Sequence, residues 1–230
     1  MTDCSTSQKR KRGRPNRITR ESIARAALEI GVKKATIPII ALHLGVGHSS
    51  LYHHVKSRDE IISIAAEIAV KELDWRAPET GSWREELIIL TDSIWALYDN
   101  NPGLAEALNH AEVTPKIGIL SFAESVARLQ KKGFPLDEAV VAIDILVDMV
   151  KECFIGWWSI VKTEKDGRLR NTKMIDIWES EAQTSPDQAE QINAMVDIMK
   201  AGTRKWWECK RNIVLDGISM TRERNAKNEY

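Results

Sequence analysis

The segment from Thr36 to His54 restricts the fold of this chain more than any other part of it. Two short helices can cross closely only where a small residue lies at the crossing, and the tight turn between them needs a residue that accepts a positive φ. Ala41 and Gly45 meet these two demands. The residues expected to form the shared core lie at matching offsets and are Ile40, Leu44, Val46 and Leu51. The pattern predicts a helix-turn-helix over residues 35–54.

The rest of the chain carries the signals of helices. Ser57, Ser82 and Ser185 each precede a Glu or Gln by three residues, the spacing of a helix-capping box. Lys131-Lys132-Gly133 is typical of a helix C terminus. We therefore predict an all-α fold, with four short helices over 19–73. Longer helical segments are expected near 83–99, 103–112, 115–132, 137–162, 172–183 and 187–212.

Four regions are expected along the chain. Residues 1–17 form a basic, flexible arm, and residues 18–62 form a three-helix DNA-binding domain around the helix-turn-helix. Residues 63–220 form a larger helical domain for ligand binding and dimerisation, and residues 221–230 form a flexible tail.

Charge is divided unevenly along the chain, although the formal net charge is +0. Residues 1–60 contain 12 Lys and Arg against 5 Asp and Glu, and the remainder contains 21 against 28. A basic end indicates contact with a polyanion. DNA suits this end better than a membrane surface, because residues 9–17 lack the apolar face of an interfacial helix.

Composition favours a cytoplasmic protein with no membrane partner. No run approaches the roughly 20 apolar residues that span a bilayer, and no apolar segment follows the basic residues of the N terminus as in a secretory signal. The three cysteines, Cys4, Cys153 and Cys209, are scattered and odd in number, which fits a reducing compartment.

The helix-turn-helix resembles that of the TetR family of transcriptional regulators over about residues 20–62. The most specific run is Leu51-Tyr52-His53-His54-Val55-Lys56-Ser57-Arg58, which is similar to the family's recognition helix and the start of the next helix. The match also includes Ile23, Ala24-Arg25-Ala26-Ala27, Gly31, Thr36, Ile40-Ala41 and Leu44-Gly45-Val46. The C-terminal part is similar only in layout, including Gly133-Phe134 before a long helix. The resemblance implies a dimeric regulator that binds double-stranded operator DNA and senses a small molecule.

The resemblance also implies which residues contact DNA. Tyr52, Lys56 and Arg58 would hold phosphates, which set the register of the protein on the duplex. His48, Ser49 and His53 would lie nearest to base edges in the major groove. Thr36 would cap the first helix of the motif, and Ser50 and His54 complete the predicted DNA-binding face.

The N-terminal arm is a second predicted DNA contact. Arg12-Gly13-Arg14-Pro15 resembles the arms that insert arginine into a narrow minor groove. The family often places a basic residue early in the motif's first helix, where this chain has Ile37-Pro38-Ile39, and Arg12 and Arg14 could replace that contact. A solubilising tail is the alternative interpretation.

The histidines of the motif do not predict a metal site. His43, His48 and His53 are separated by steps of five residues. Such steps point about 140° apart on a helix, so the rings do not converge. We predict neither a metal nor another cofactor.

Two helices of the C-terminal domain are predicted to form a dimer interface. Residues 137–161 are apolar on nearly all sides, which requires cover from the core and from a second copy. The helix over 187–212 carries a heptad seam, for which an intrachain core seam is the alternative. The predicted seam consists of Ile192, Met195, Met199, Gly202 and Trp206.

An effector site is expected between the helices near 83–99, 103–120 and 137–158. Binding pockets are mostly apolar with a few polar groups, which favours an apolar or aromatic effector. The candidate contacts are Trp95, Tyr98, His110, Asp148, Met149, Phe154 and Trp157, each of which could instead belong to the core.

The favoured function is a ligand-responsive repressor that binds a palindromic operator as a dimer and releases it on binding the effector. A constitutive DNA-binding or architectural protein without effector is the main alternative. An all-helical enzyme is not favoured, because the sequence has no nucleophile elbow, Gly-rich phosphate loop, HExxH or CxxC. The pair Asp144 and Asp148 reads better as a solvated stripe than as catalytic carboxylates.

Overall fold

The computed structural model describes residues 18–72, 81–110, 115–161, 163 and 167–228. These residues form eleven α-helices and a single short 3-10 turn, and they contain no β-strand, so the all-α prediction is confirmed. No helix within them is long and apolar enough to cross a bilayer. The predicted arm, with Arg12 and Arg14, lies outside the described residues.

The N-terminal helices form the predicted helix-turn-helix. They are α1 (Arg20–Ile30), α2 (Ile37–His43) and α3 (His48–Leu51). Gly45 has a φ of 68° in the turn between α2 and α3, the conformation for which a glycine was expected. The core shared by these helices consists of Ile23, Ala26, Ala27, Ala35, Ile40, Ala41, Leu51, Val55 and Ile61.

Helix α4 (Arg58–Glu72) joins the two domains without a break, so it passes through the boundary predicted at residue 62. One side of α4 packs on α1, where Ala24 and Ala65 are fully buried in one cluster. Another side contributes Ala66 and Ala69 to the core of the C-terminal domain. The helix is therefore part of both cores.

The C-terminal domain is built around one long central helix. It contains α5 (Trp83–Asn100), α6 (Leu104–His110), α7 (Lys116–Lys131), α8 (Leu136–Ile160) and α11 (Thr203–Asn228), and α8 packs against the other four. The hydroxyl of Ser82 accepts a hydrogen bond from the Glu85 N–H and begins α5, as its capping box predicted.

Helices α9 (Arg170–Thr184) and α10 (Ala189–Ala201) form a hairpin through a 3-10 turn at Pro186–Gln188. The predicted capping box at Ser185 is wrong, because the Ser185 hydroxyl lies 2.6 Å from a Glu181 carboxylate oxygen and makes no cap hydrogen bond. Helix α10 begins at Ala189, four residues after Ser185.

The predicted single helix over 187–212 is also wrong. The backbone turns at Gly202, where φ is 84°, so α10 ends and α11 begins in a new direction. The five predicted seam residues therefore do not form one straight stripe. Met199 is buried within the chain, whereas Ile192, Met195, Gly202 and Trp206 are half-buried.

The predicted flexible tail is helical as far as Asn228. Arg222 donates hydrogen bonds to the carbonyl oxygens of Lys132 and Gly133 at 3.3 and 3.2 Å and lies 3.9 Å from the centre of the Phe134 ring. Asn225 donates to Glu138 at 2.5 Å. The polar sequence of residues 221–230 suggested a solvated tail, because its partners lie about ninety residues earlier in the chain and cannot be recognised from the local sequence.

Candidate nucleic-acid interface and ligand cavity

The recognition segment, residues 48–54, buries one side chain and exposes most of the others. Leu51 is completely buried beneath α2, and the next residue, Tyr52, is 55% exposed. His48, Ser49 and His53 are exposed on the same short segment, whereas Ser50 and His54 are half-buried. The exposed side chains of this segment are therefore polar or aromatic, as contacts with a duplex require.

Thr36 begins α2 as expected. Its side-chain oxygen accepts a hydrogen bond from the Ile39 N–H at 3.4 Å, and Pro38 lies in the first turn. The capping part of the Thr36 prediction is confirmed, and a contact with DNA stays a prediction. Ile39 and Leu42 are exposed on α2, at 42% and 81%.

Lys56 and Arg58 differ although both were predicted to hold phosphates. The Lys56 side chain is exposed. The Arg58 guanidinium is half-buried and donates to the carbonyl oxygens of Ala35 and Val32 at 3.1 and 2.9 Å. Arg58 thus ties the loop between α1 and α2 to the start of α4, which is a structural role that the sequence did not reveal.

Glu60 stabilises the junction after the recognition segment. Its carboxylate accepts from the Lys56 N–H at 2.5 Å and pairs with Arg20 on α1, while its own N–H donates to the Ser57 hydroxyl at 3.1 Å. The hydrogen bond from Lys56, followed by the charge of Arg20, lowers the pKa of Glu60 below its ordinary value. The position of Lys56 is therefore coupled to the first turn of α4.

No group of three or more His, Cys, Asp or Glu side chains converges on a metal-sized site in the described part of the chain. His43 lies 2.9 Å from a Glu29 carboxylate oxygen, on the side of α2 that faces α1.

A cavity of about 470 Å³ lies in the C-terminal domain. The cavity lies in the predicted region, between helices α5, α6, α7 and α8. Helix α4 forms a further part of its wall. Its lining is formed by Ala66, Val70, Leu90, Ser93, Ile94, Leu97, Tyr98, Leu108, Pro115, Ile117, Gly118, Ile119, Ser121, Phe122, Ser125, Ile143 and Val147.

Tyr98 is the one candidate effector contact that lines this cavity. Trp95 and Phe154 lie in the adjoining core, where Trp95 stacks on Trp207 with ring centres 6.1 Å apart. Met149 and Trp157 are half-buried, and neither lines the cavity. The sequence-based prediction favoured large aromatic residues. These side chains fill the core, and the cavity lies beside them, where smaller residues form its wall.

His110 and Asp148 were the predicted polar contacts, and both side chains are exposed. Asp148 pairs with Lys151 at 3.1 Å on the surface of α8. Neither residue lines the cavity.

The cavity residues that the sequence reasoning missed include a row of small residues on α7. Gly118, Ser121 and Ser125 recur at helical spacing and all line the cavity. A Cβ built at Gly118 would meet no atom within 4 Å. Small residues repeated on one face of an otherwise apolar helix were the available signal.

The hydroxyl groups of Ser125, Ser121 and Tyr98, which all belong to lining residues, have different surroundings. The Ser125 hydroxyl donates to the Ser121 carbonyl at 2.8 Å, as helical serines commonly do, but the Ser121 hydroxyl is buried with no hydrogen-bond partner. Burial, with a smaller effect of the Asp148 charge, raises the pKa of Tyr98 to about 12. Tyr98 therefore keeps its proton at neutral pH.

The two domains meet at the turn between α5 and α6. A Cβ built at Gly103 would lie 2.7 Å from the Lys33 Cβ and 2.8 Å from the Lys33 backbone nitrogen. Val32, in the same loop of the helix-turn-helix domain, shares a core cluster with Tyr98 and Leu104. The cavity wall is therefore in packed contact with the DNA-binding domain.

Helices α8 and α11 each carry exposed apolar side chains. On α8, Val141 and Ile145 are exposed, one turn apart. On α11, Ile213 and Met220 are exposed by 72% and 71% and lie two turns apart on one face. The described residues of this chain leave these stripes uncovered.

This geometry defines a class: an all-helical protein with an N-terminal helix-turn-helix joined by one continuous helix to a domain that contains a cavity. Solved structures show the same architecture. The Streptomyces coelicolor TetR family protein ActR, in complex with actinorhodin, has a TM-score of 0.74 and 21% identity, covering 88% of this chain and 95% of that chain. TetR from Acinetobacter baumannii has a TM-score of 0.62 and 17% identity, covering 87% and 96%.

The chain thus has the fold of the TetR-family regulators, and the resemblance found in its helix-turn-helix is confirmed. An HTH-type transcriptional repressor of Mycobacterium tuberculosis, Rv1353c, is 28% identical over 145 residues. That match covers 59% of this chain and 56% of the mycobacterial protein, so the chain spans about half the length of this curated relative. No family model matches the sequence.

Proposed function

We propose that this protein is a cytoplasmic transcriptional repressor that binds a palindromic operator as a dimer and releases it when a small apolar molecule enters the cavity. The observation that carries the proposal is the adjacent pair of Leu51, which is completely buried, and Tyr52, which is 55% exposed. This pair turns the polar face of α3 outward while fixing the helix on α2.

The similar proteins support this function. The mycobacterial relative is a helix-turn-helix repressor, and ActR was solved in complex with actinorhodin. In this chain, the exposed recognition segment and the cavity support DNA binding and ligand binding, respectively.

Contacts with DNA divide into two groups. Tyr52 and Lys56 are proposed to bind phosphates, and His48, Ser49 and His53 to contact base edges. Four further residues are proposed to hold these contacts in position. They are the half-buried Ser50 and His54, Thr36 at the start of α2, and Arg58, which binds the loop before α2.

The dimer is proposed to form through α8 and α11. Their exposed apolar stripes include Val141, Ile145, Ile213 and Met220, which a second copy would remove from water. A two-fold axis between these helices would place two recognition segments on the two halves of a palindrome. We propose a smaller contribution from the predicted seam, because Gly202 interrupts it between α10 and α11.

Communication between cavity and DNA is proposed to follow packed contacts. Ala66 and Val70 of α4 line the cavity, and the same helix begins at Arg58, which holds the loop before α2. A ligand shifts the protein toward release only if it prefers the arrangement that does not bind DNA. Displacement of α4 or of the Pro102–Gly103 turn would supply that difference.

The test begins with selection of genomic DNA fragments by the purified full-length chain, followed by footprinting. We expect one protected region with two-fold symmetric halves separated by roughly one helical turn or a multiple of it. His53→Ala should relax base preference at defined positions, whereas Lys56→Ala should weaken all sites about equally. Binding with no sequence preference would favour an architectural protein and overturn the proposal.

A further inference from the structure

Among the residues that the structure describes, the cavity lining contains no side chain that is charged at neutral pH. From this we infer that the effector is an uncharged, lipophilic molecule that carries a hydrogen-bond acceptor, and that Ser121 is the residue that binds this acceptor. The inference rests on the proposed function and narrows the chemistry of its ligand.

The first argument is desolvation. The seventeen lining residues that the structure describes include no Asp, Glu, Lys, Arg or His, and their polar side chains are the hydroxyls of Ser93, Tyr98, Ser121 and Ser125. An ion that leaves water for an apolar enclosure needs a counter-charge or a dense set of hydrogen bonds to offset its lost hydration. Four hydroxyls cannot supply this, and so the cavity selects against anions and cations alike.

Two cations of the described residues near the cavity are paired with a buried carboxylate. Arg128 and Lys132 lie 3.1 and 3.2 Å from the carboxylate of Glu86, which is itself buried. On the opposite side, burial and, to a smaller extent, the negative charge of Asp148 raise the pKa of Tyr98, so this wall favours a neutral hydroxyl.

Ser121 supplies the specific polar contact. Its hydroxyl is buried without a partner, whereas Ser125 and Thr91, on α7 and α5, satisfy theirs with helix carbonyls at 2.8 and 2.9 Å. An unsatisfied buried hydroxyl is costly, so a ligand oxygen that accepts from it gains binding energy. Tyr98, which stays protonated, is a second donor on another helix.

Size and access set the remaining limits. A cavity of about 470 Å³ is in the range that holds a drug-sized molecule. Ile119 lines it and is 57% exposed, so the cavity reaches the surface at the start of α7.

The test uses three probes that share one skeleton. Diphenylmethane is apolar, benzophenone adds a carbonyl acceptor, and 4-benzoylbenzoate adds a carboxylate. Their affinities for the full-length protein are measured by displacement of the uncharged fluorophore N-phenyl-1-naphthylamine. We expect benzophenone to bind at least threefold more tightly than diphenylmethane, and at least tenfold more tightly than 4-benzoylbenzoate at neutral pH.

Two variants assign the effect to residues. Ser121→Ala should remove the advantage of benzophenone over diphenylmethane and leave the affinity for diphenylmethane unchanged. Ser93→Lys, which introduces a cation into the wall, should raise the affinity for 4-benzoylbenzoate at least tenfold and lower that for benzophenone. Thermal unfolding followed by circular dichroism verifies that each variant is folded.

The outcomes separate the inference from the proposed function. Equal or tighter binding of 4-benzoylbenzoate by the unmodified protein overturns the inference but leaves an effector site in place. Failure of all three probes to bind overturns the inference together with the effector part of the proposal. Neutral-selective binding that never changes operator affinity supports the ligand class and contradicts the regulatory role of the cavity.

Discussion

The helix-turn-helix and the ligand cavity were predictable to very different degrees. In the first, the backbone itself imposes conditions: the turn needs a positive φ, which Gly45 provides at 68°, and the crossing needs a small residue such as Ala41. In the second, the functional feature is a space, which many apolar sequences could enclose. Residue types are therefore diagnostic where geometry limits them and uninformative where only volume matters.

The largest expected effect tests the buried half of the recognition segment. Leu51→Ala removes a fully buried side chain and should lower the free energy of unfolding by about 2–5 kcal/mol. Leu42→Ala, on a residue that is 81% exposed, is the matched control and should change it by less than about 0.5 kcal/mol. Equal effects in urea denaturation would show that the segment does not pack as described.

The next prediction addresses the contact between the two regions. Gly103→Ala places a Cβ 2.7 Å from Lys33 at a residue with φ of 87°, so it should destabilise the protein by about 1–3 kcal/mol. Gly118→Ala adds a Cβ where no atom lies within 4 Å inside helix α7 and should be neutral or stabilising by up to about 1 kcal/mol. A Gly103→Ala protein of unchanged stability would mean that the domains do not touch there.

Arg58 and Lys56 provide a third contrast, within the DNA-binding domain. Arg58→Ala removes hydrogen bonds to two carbonyl groups and should destabilise the fold by roughly 1–3 kcal/mol. Lys56→Ala should leave stability unchanged but reduce the slope of log affinity against log salt by about one. If Lys56→Ala had no effect on that slope, Lys56 would not be a phosphate contact.

The smallest expected effect is a dependence on pH. The pKa of Glu60 is lowered in the folded state, so this carboxylate stabilises the fold above its ordinary value of 4.5, and the contribution disappears as the pH falls through the lower, folded value. Glu60→Gln should therefore be less stable than the parent at pH 7 by less than about 1 kcal/mol. The difference should close in acid; a difference that grew there would contradict the lowered pKa.

The same contrast explains which sequence-based predictions were right. Ala41, Gly45 and Leu51 indicated the motif because each meets a local requirement, and Thr36 caps α2 as expected. The helix break at Gly202 was missed because the heptad spacing across it was apolar and regular. A glycine within such a pattern is compatible with either close packing or a helix end, and only tertiary structure distinguishes the two.

Long-range contacts account for the other errors. Arg222 stabilises the end of α11 by binding the turn after α7, and Arg58 is fixed by a loop more than twenty residues earlier. Both residues look like free surface cations in the sequence. Tyr98 lines the cavity, and its contact with an effector stays a prediction. Trp95 and Phe154 belong to the core, because aromatic residues fill volume more often than they surround a cavity.

The proposed binding of DNA depends most on Tyr52, whose side chain faces outward. Fluorescence anisotropy with a labelled fragment recovered by the selection tests this claim directly, using the parent chain, Tyr52→Ala and, as a surface control, Ile177→Ala, whose side chain is 66% exposed on α9. We predict that Tyr52→Ala weakens binding at least tenfold with unchanged thermal stability and oligomeric state, and that Ile177→Ala binds normally. Unchanged affinity of Tyr52→Ala for that fragment would contradict the proposed recognition segment.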